Sequence, residues 1–355
     1  MNQEQLTQDA ISLLKNLIET QSFSSEEDQT ALLIEEWFHN YEIEYKRTQH
    51  NVWAVSKDYD ESKPTLLLNS HHDTVKPNRG YTKNPFKAIE EDGKLFGLGS
   101  NDAGGCLVSL IATFTYFYQK KDLKYNLVIV ASAEEESSGQ NGLNSMLPII
   151  PKVDVAIVGE PTLMQLAVAE KGLVVFDAKV GGTPGHAAHP NNDNAIYNSI
   201  EVLKWFQEYQ FDKISESLGA VKMTITQINA GKQHNAIPAE VDLVVDVRVN
   251  DQYSNQEIAD ILTKESPCTS IIPRSLRLNS SSIPVEHELV QAGIALGRET
   301  YGSPTLSDQS VLTCPSLKLG PGDSTRSHTA DEFIYINEIK EGIDLYIQLL
   351  EKILL

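Results

Sequence analysis

Apolar residues recur at helical spacing through MNQEQLTQDAISLLKNLIET, the first twenty residues, which predicts an amphipathic helix rather than a leader peptide. LIEEWFHNYEI repeats the pattern and predicts a second helix. The period then changes. TLLLNS (65–70), NLVIVASAE (126–134) and VDVAIVGE (153–160) are short apolar runs with the length and flanks of strands buried on both faces. Between the first two lies DAGGCLVSLIATFTYFYQK (102–120), which predicts a strongly apolar helix opened by Asp102. Strand, helix, strand in this order implies an α/β layer with a mainly parallel sheet, where ligands gather outside the carboxyl ends of the strands.

The middle of the chain changes character. GLVVFDAKVGG, a helix around 193–210, VKMTITQI, AEVDLVVDVRV, a helix around 255–264 and a short strand near 275–282 give the order βαββαβ of a ferredoxin-like α+β unit. The predicted organisation is a domain built from 1–171 and 284–355, with residues 172–283 inserted into it.

Composition narrows the class. The chain has 355 residues, 41% hydrophobic and 22% charged, which suits a globular protein of two domains. No apolar stretch approaches the ~18–20 residues of a membrane span. Cys106, Cys268 and Cys314 are scattered and odd in number, as expected for reduced thiols of a cytoplasmic protein, and form no CxxC metal motif. A formal charge of −20 argues against nucleic acid and anionic membrane surfaces as partners.

The candidate chemistry sits where the strands end. In LLLNSHHDTVKP, side chains alternate across an extended backbone, so His71 and Asp73 share one side and His72 faces the other. His71 is the candidate metal ligand, with Asp73 placed to hold its second ring nitrogen or assist at the metal; His72 is expected to be a packing or surface residue. GLGSNDAGG then places Asp102, the second strand empties into Glu134, Glu135 and Glu136, and the third into Glu160 before a proline. Carboxylates crowded at buried strand ends are costly unless a cation compensates them. The plain alternative is helix capping by Asp102 and a solvated acidic turn. A nucleotide-loop reading of GLGSNDAGG fails, because it has neither GxGxxG spacing nor a GK[ST] ending.

HxD, a glycine-rich turn with Asp, EE after a strand, GEP and a C-terminal GPG…H, in that order, resemble the dinuclear zinc amidohydrolase and peptidase family of acetylornithine deacetylase, succinyl-diaminopimelate desuccinylase, aminoacylase and glutamate carboxypeptidase. The resemblance covers nearly the whole chain. It implies a zinc-exopeptidase-like catalytic domain, with the insert serving as lid and dimerisation domain of a homodimer. It also implies two divalent ions per chain, zinc or alternatively cobalt: His71 and Glu160 on one, Glu136 and His328 on the other, Asp102 bridging, and Glu135 as the catalytic base. In GPGDSTRSHTADEF, Asp331 and Glu332 compete with His328 for the ligand role. His186, in GTPGHAAHP, matches the histidine that reaches a partner's active site and stabilises the oxyanion. Asn235 and Arg248 match positions that hold the substrate's carboxylate end, and Gly322 and Arg326 complete the substrate-binding set, with Lys232 a further lid cation. The sequence departs from the family at Ser70, where glycine is frequent, and at Gly104, where lysine is. GPGDSTRSHTADEF and SHHDTVKP are most similar to the acetylornithine deacetylase branch. The implied reaction is hydrolysis of an N-acyl amino acid, N-acetylornithine first, with N-acetylcitrulline and N-succinyl forms next, in arginine biosynthesis. A di- or tripeptidase and a non-catalytic binding protein on the same fold are the alternatives.

Overall fold

The computed structural model describes residues 2–355. The chain divides into two compact units, Met1–Val168 with Ser282–Tyr301 and Ser307–Leu355, and Ala169–Ser281 with Gly302–Leu306.

The first unit is built on a mixed sheet. Thr65–His71 lies at its centre and pairs in parallel with Asn126–Ser132 on one side and Val155–Val158 on the other. Ser316–Lys318 adds a further parallel strand beyond Val155–Val158. On the other side Asn51–Val55 and then Tyr45–Thr48 extend the sheet antiparallel. Every residue of Thr65–His71 and Asn126–Ser132 is buried, which explains why these strands read as unbroken apolar runs. The helix Gly105–Phe117 is buried almost all round, packing against Thr65–His71, Gln3–Glu19 and Ile336–Leu354.

Two predicted boundaries move, and both matter to the chemistry. Asp102 does not open the helix. It sits in the turn Ser100–Gly104 with φ −119° and ψ 98°, and the regular helix begins at Gly105. Gly104 and Gly105 let this turn close: a Cβ on Gly104 would lie 2.5 Å from the Gly99 carbonyl oxygen, and one on Gly105 2.4 Å from Ile334 Cδ1. The second change is at the glutamates. The strand stops at Ser132, and Glu134 adopts φ +56°, so the three acidic residues turn out of the sheet instead of extending it.

The second unit is a four-stranded antiparallel sheet in the order Lys222–Ala230, Glu240–Val249, Gly172–Gly181, Ser270–Pro273. Helices Ala195–Glu208 and Asn255–Glu265 supply the other layer of its core. This is the ferredoxin-like order, with one correction: the last strand is Ser270–Pro273, not 275–282. The Arg274 N–H still donates to the Val175 carbonyl, and the loop that follows is held by Asn255 Nδ2, which donates to the carbonyls of Leu276 and Leu278.

Candidate metal centre

His71 ends the central strand, is buried, and organises everything around it. Its Nδ1 is 3.0 Å from the Asp73 carbonyl oxygen and 3.3 Å from Asp73 Oδ1. Its Nε2 faces three carboxylates: Asp102 Oδ1 at 3.3 Å, Glu135 Oε2 at 3.8 Å and Glu160 Oε1 at 3.8 Å. His328 arrives from the other end of the sequence, with backbone φ +58°. Its Nε2 is 2.9 Å from Glu136 Oε2 and 3.6 Å from Asp102 Oδ2. One oxygen of Asp102 therefore faces each histidine.

His72 points away, as alternation requires, but it is buried rather than at the surface. Its Nδ1 lies 2.9 Å from Thr30 Oγ1 and its Nε2 3.0 Å from the His50 carbonyl, and burial lowers its pKa to about 4. Asp73 ties the site together. Its carboxylate accepts hydrogen bonds from Ser24 Oγ at 2.7 Å and from the backbone N–H groups of Glu135 and Glu136, each at 3.1 Å. Glu332 does the same for the glycine-rich turn, accepting from the N–H groups of Gly99, Asn101 and Asp102. Asp331 is occupied outside the centre by Thr82 and the Lys83 N–H. Of the three candidates in that stretch, His328 alone takes part in the cluster.

The electrostatics show what such a cluster lacks. Burial, with Asp102 adding repulsion, pushes the Glu160 carboxyl up to about 8, and its buried Oε1 has no hydrogen-bond partner. Burial likewise drives Glu135 well above the usual carboxylate range, with Glu160, Asp308 and Glu136 adding repulsion against the opposing pull of His71. Glu136, followed by burial acting the other way, brings His328 up to about 9. His71 is held well above its ordinary value by Asp102 and Asp73 in spite of its burial. Burial and mutual repulsion thus raise Glu160 and Glu135, while the facing carboxylates raise both histidines. Two imidazoles and three carboxylates are the hard-to-borderline donor set that suits zinc-like ions, and the orphaned Glu160 Oε1 is where a cation would be satisfied. The residues fit a metal pair.

Two further partners, buried Glu27 and half-buried Asp308, carry no periodic pattern in the sequence. Glu27 accepts from the Ser25 and Glu134 N–H groups at 2.7 and 3.1 Å. Asp308 accepts from Ser132 Oγ at 2.6 Å, and Asn69 Nδ2 donates to that same hydroxyl. Only the strand-end rule, applied to every segment that reaches the sheet's carboxyl edge, points toward them.

The substrate-binding expectations fare less evenly. Arg326 is not free to meet an acyl carboxylate: it makes a bidentate pair with Glu338 at 2.7 and 3.0 Å and stacks over Phe333 and Tyr335. Gly322 has φ +90°, and a Cβ there would lie 2.5 Å from Asn101 Oδ1, so it serves a turn. Arg248 is engaged by Asp246, two residues before it on the same strand face. In the second unit His186 and Asn235 do come together, in the ribbon where Gly185–His186 pairs with Ala236–Ile237 and the Ala187 N–H donates to the Asn235 carbonyl. Arg248 lies at the far end of Glu240–Val249, paired with Leu173. From Glu240 to Arg248 the strand spans about 26 Å at ~3.3 Å per residue, which separates it from that pair.

The sequence pattern of Peptidase family M20/M25/M40 matches residues 67–352. An acetylornithine deacetylase of Shigella sonnei is 28% identical over 96% of this chain and 96% of its own. A succinyl-diaminopimelate desuccinylase of Rickettsia felis is 25% identical over 97% of this chain and all of its own. Among solved structures, a dinuclear metal-binding M20 peptidase of Bacillus subtilis superposes with a TM-score of 0.76 at 15% identity, covering 98% of both chains. A Staphylococcus aureus tripeptidase gives 0.74 at 19% identity, also covering 98% of both. With the ordered motifs and the length of the match, the chain belongs to the peptidase family M20/M25/M40 and is a metal-dependent amidohydrolase.

Proposed function

We propose that this amidohydrolase removes a small acyl group from the α-nitrogen of an amino acid, with N-acetylornithine or N-acetylcitrulline as the first candidates. The observation that carries the reading is Asp102, whose two oxygens face His71 and His328 separately. That arrangement suits a carboxylate bridging two cations, with Glu160 completing the His71 side and Glu136 the His328 side. Two bound divalent ions would polarise the amide carbonyl and lower the pKa of an attacking water. Glu135, held by its own N–H on Asp73, takes the water's proton and passes it to the leaving amine. Asp73 fixes the His71 ring through Nδ1.

The substrate class draws support from the curated relatives, which are deacetylases and desuccinylases. With Arg326 tied to Glu338, acetyl is preferred over succinyl. A metallo-dipeptidase or tripeptidase is the second reading, favoured by the fold likeness to the S. aureus enzyme.

The deciding experiment is kcat/KM for N-acetyl and N-succinyl ornithine, citrulline and lysine, with di- and tripeptides alongside, on zinc- and cobalt-loaded protein. The acetyl-amino acids should lead. Peptides turned over far faster than any of them would reject the deacylase reading, and full activity in chelator would reject the metal mechanism.

A further inference from the structure

The loop between the first two helices, residues 20–27, makes more contacts with the metal-centre strands than a connection requires. The Thr74 N–H donates to the Ser22 carbonyl, and Phe23 bridges to Thr74. Ser24 Oγ donates to Asp73 Oδ2 at 2.7 Å, and Ser25, with φ +72°, turns its hydroxyl onto Glu134 Oε1 at 2.9 Å. Glu27 is fully buried, and its Oε1 takes both the Ser25 and the Glu134 N–H. The three successive N–H groups of the Glu134–Glu136 run therefore end on carboxylates: Glu134 on Glu27, Glu135 and Glu136 on Asp73. These bonds hold the chain where it leaves the sheet through the left-handed Glu134, a conformation that costs a side-chain-bearing residue energy and needs outside support.

We propose that Ser24 and Glu27 are positioning residues, forming a latch that sets the register in which Glu135 is presented as base and Glu136 as ligand. Ser24 acts through Asp73, and Glu27 through the Glu134 backbone. Neither touches substrate or metal. The inference rests on the roles given above to Glu135 and Glu136. The latch joins the strand end that carries His71 to the one that carries the base, so a shift on one side is transmitted to the other. Small displacements of a proton-transfer group are costly: about 1 Å of misplacement can lower a rate ~100-fold.

The test uses the full-length protein. Hydrogen–deuterium exchange of residues 133–138 is measured without metal or substrate, and kcat, KM and metal content with both. In Glu27→Ala the segment should exchange at least about 10-fold faster than wild type, residues 126–132 should be unchanged, and kcat should fall about 10–100-fold with KM within about 3-fold. Glu27→Gln keeps an oxygen acceptor for both N–H groups and should restore exchange and kcat to within about 3-fold of wild type. Ser24→Ala should move both readouts in the same direction by less, and it carries the test if Glu27→Ala does not fold. Ile34→Ala, a core substitution in helix Asp28–Asn40, controls for stability alone. The proposal is overturned if residues 133–138 exchange unchanged in both latch variants, if Glu27→Gln is no better than Glu27→Ala, or if Ile34→Ala at a matched melting temperature loses as much kcat. The exchange readout needs no substrate, so its failure is distinct from a wrong substrate class. A Glu135→Gln enzyme retaining its rate would instead indict the base assignment.

Discussion

Glu135 and Glu136 are adjacent, share Asp73 as backbone acceptor, and yet face different partners: Glu135 Oε2 lies near His71 and Glu136 Oε2 near His328. Their amides should therefore behave differently. Glu135→Gln is expected to retain both metals and lose about 10²–10⁴-fold in kcat, because proton transfer goes while the ligands stay. Glu136→Gln should lose metal, seen by elemental analysis after dialysis; the reverse pattern would mean the register is off by one residue. The same cluster predicts how the metal-free protein responds to pH. Glu160 has a folded pKa near 8, against an ordinary 4.5, and His328 near 9 against 6.5. Both groups hold protons in the folded state that the unfolded chain has released, so stability falls as pH rises, from about 4.5 to 8 for the acid and from about 6.5 to 9 for the histidine. Melting temperature in chelator should drop across that window. Bound metal replaces those protons, so the loaded protein should show a much flatter profile; equal slopes would mean that the cluster does not bind cations.

Among the elements, the turn Ser100–Gly104 shows how tightly the centre is built. Glu332 holds two of its N–H groups and that of Gly99 before it, and Gly104 has no room for a side chain between the Gly99 carbonyl and Leu14 Cδ1, 2.6 Å away. Gly104→Ala should cost about 1–3 kcal/mol in a denaturant titration, as overpacking does, and should weaken metal retention as Asp102 moves. The position at which this sequence departs from the family's lysine is thus one where its own packing demands glycine. This turn also marks what was legible beforehand. Periodicity found Thr65–His71, Asn126–Ser132 and Val155–Val158, because strands buried on both faces leave unbroken apolar runs. Alternation separated His71 from His72 because successive side chains of an extended strand point to opposite faces. The reversal at Glu134 and the extended backbone at Asp102 left no such trace, because each is imposed by hydrogen bonds from residues far away in sequence. Arg326 looked like a substrate cation because nothing local distinguishes a paired arginine from a free one, and Glu338 lies one helix turn into the next element.

At the scale of the whole molecule, the second unit presents groups that it does not itself satisfy. Lys222–Ala230 is an edge strand whose residues are mostly exposed, and Ile196, Tyr197, Ile200 and Ile228 are exposed by 43, 70, 59 and 53%. An unpaired edge beside apolar side chains suits pairing with another copy. His186 and Asn235 sit at one end of this unit and Arg248 at the other, so one copy does not offer all three to a single substrate. We propose, on this separation, that two copies pair and that each lends His186 to its partner's site. The consequence is complementation. His186→Ala retains the base, Glu135→Gln retains the histidine, and each alone should be nearly inactive. In a hybrid dimer, one site combines Glu135 from the first chain with His186 from the second and is intact, while the other site lacks both. Random exchange of equal amounts makes half the dimers hybrid with one working site of two, so the mixture should recover about one quarter of wild-type activity. Subunit exchange is followed independently with a tagged chain. Exchange without recovery would place His186 in its own chain's site and remove the reason for sharing, whereas a protein that sediments as a monomer at full activity would remove the dimer itself.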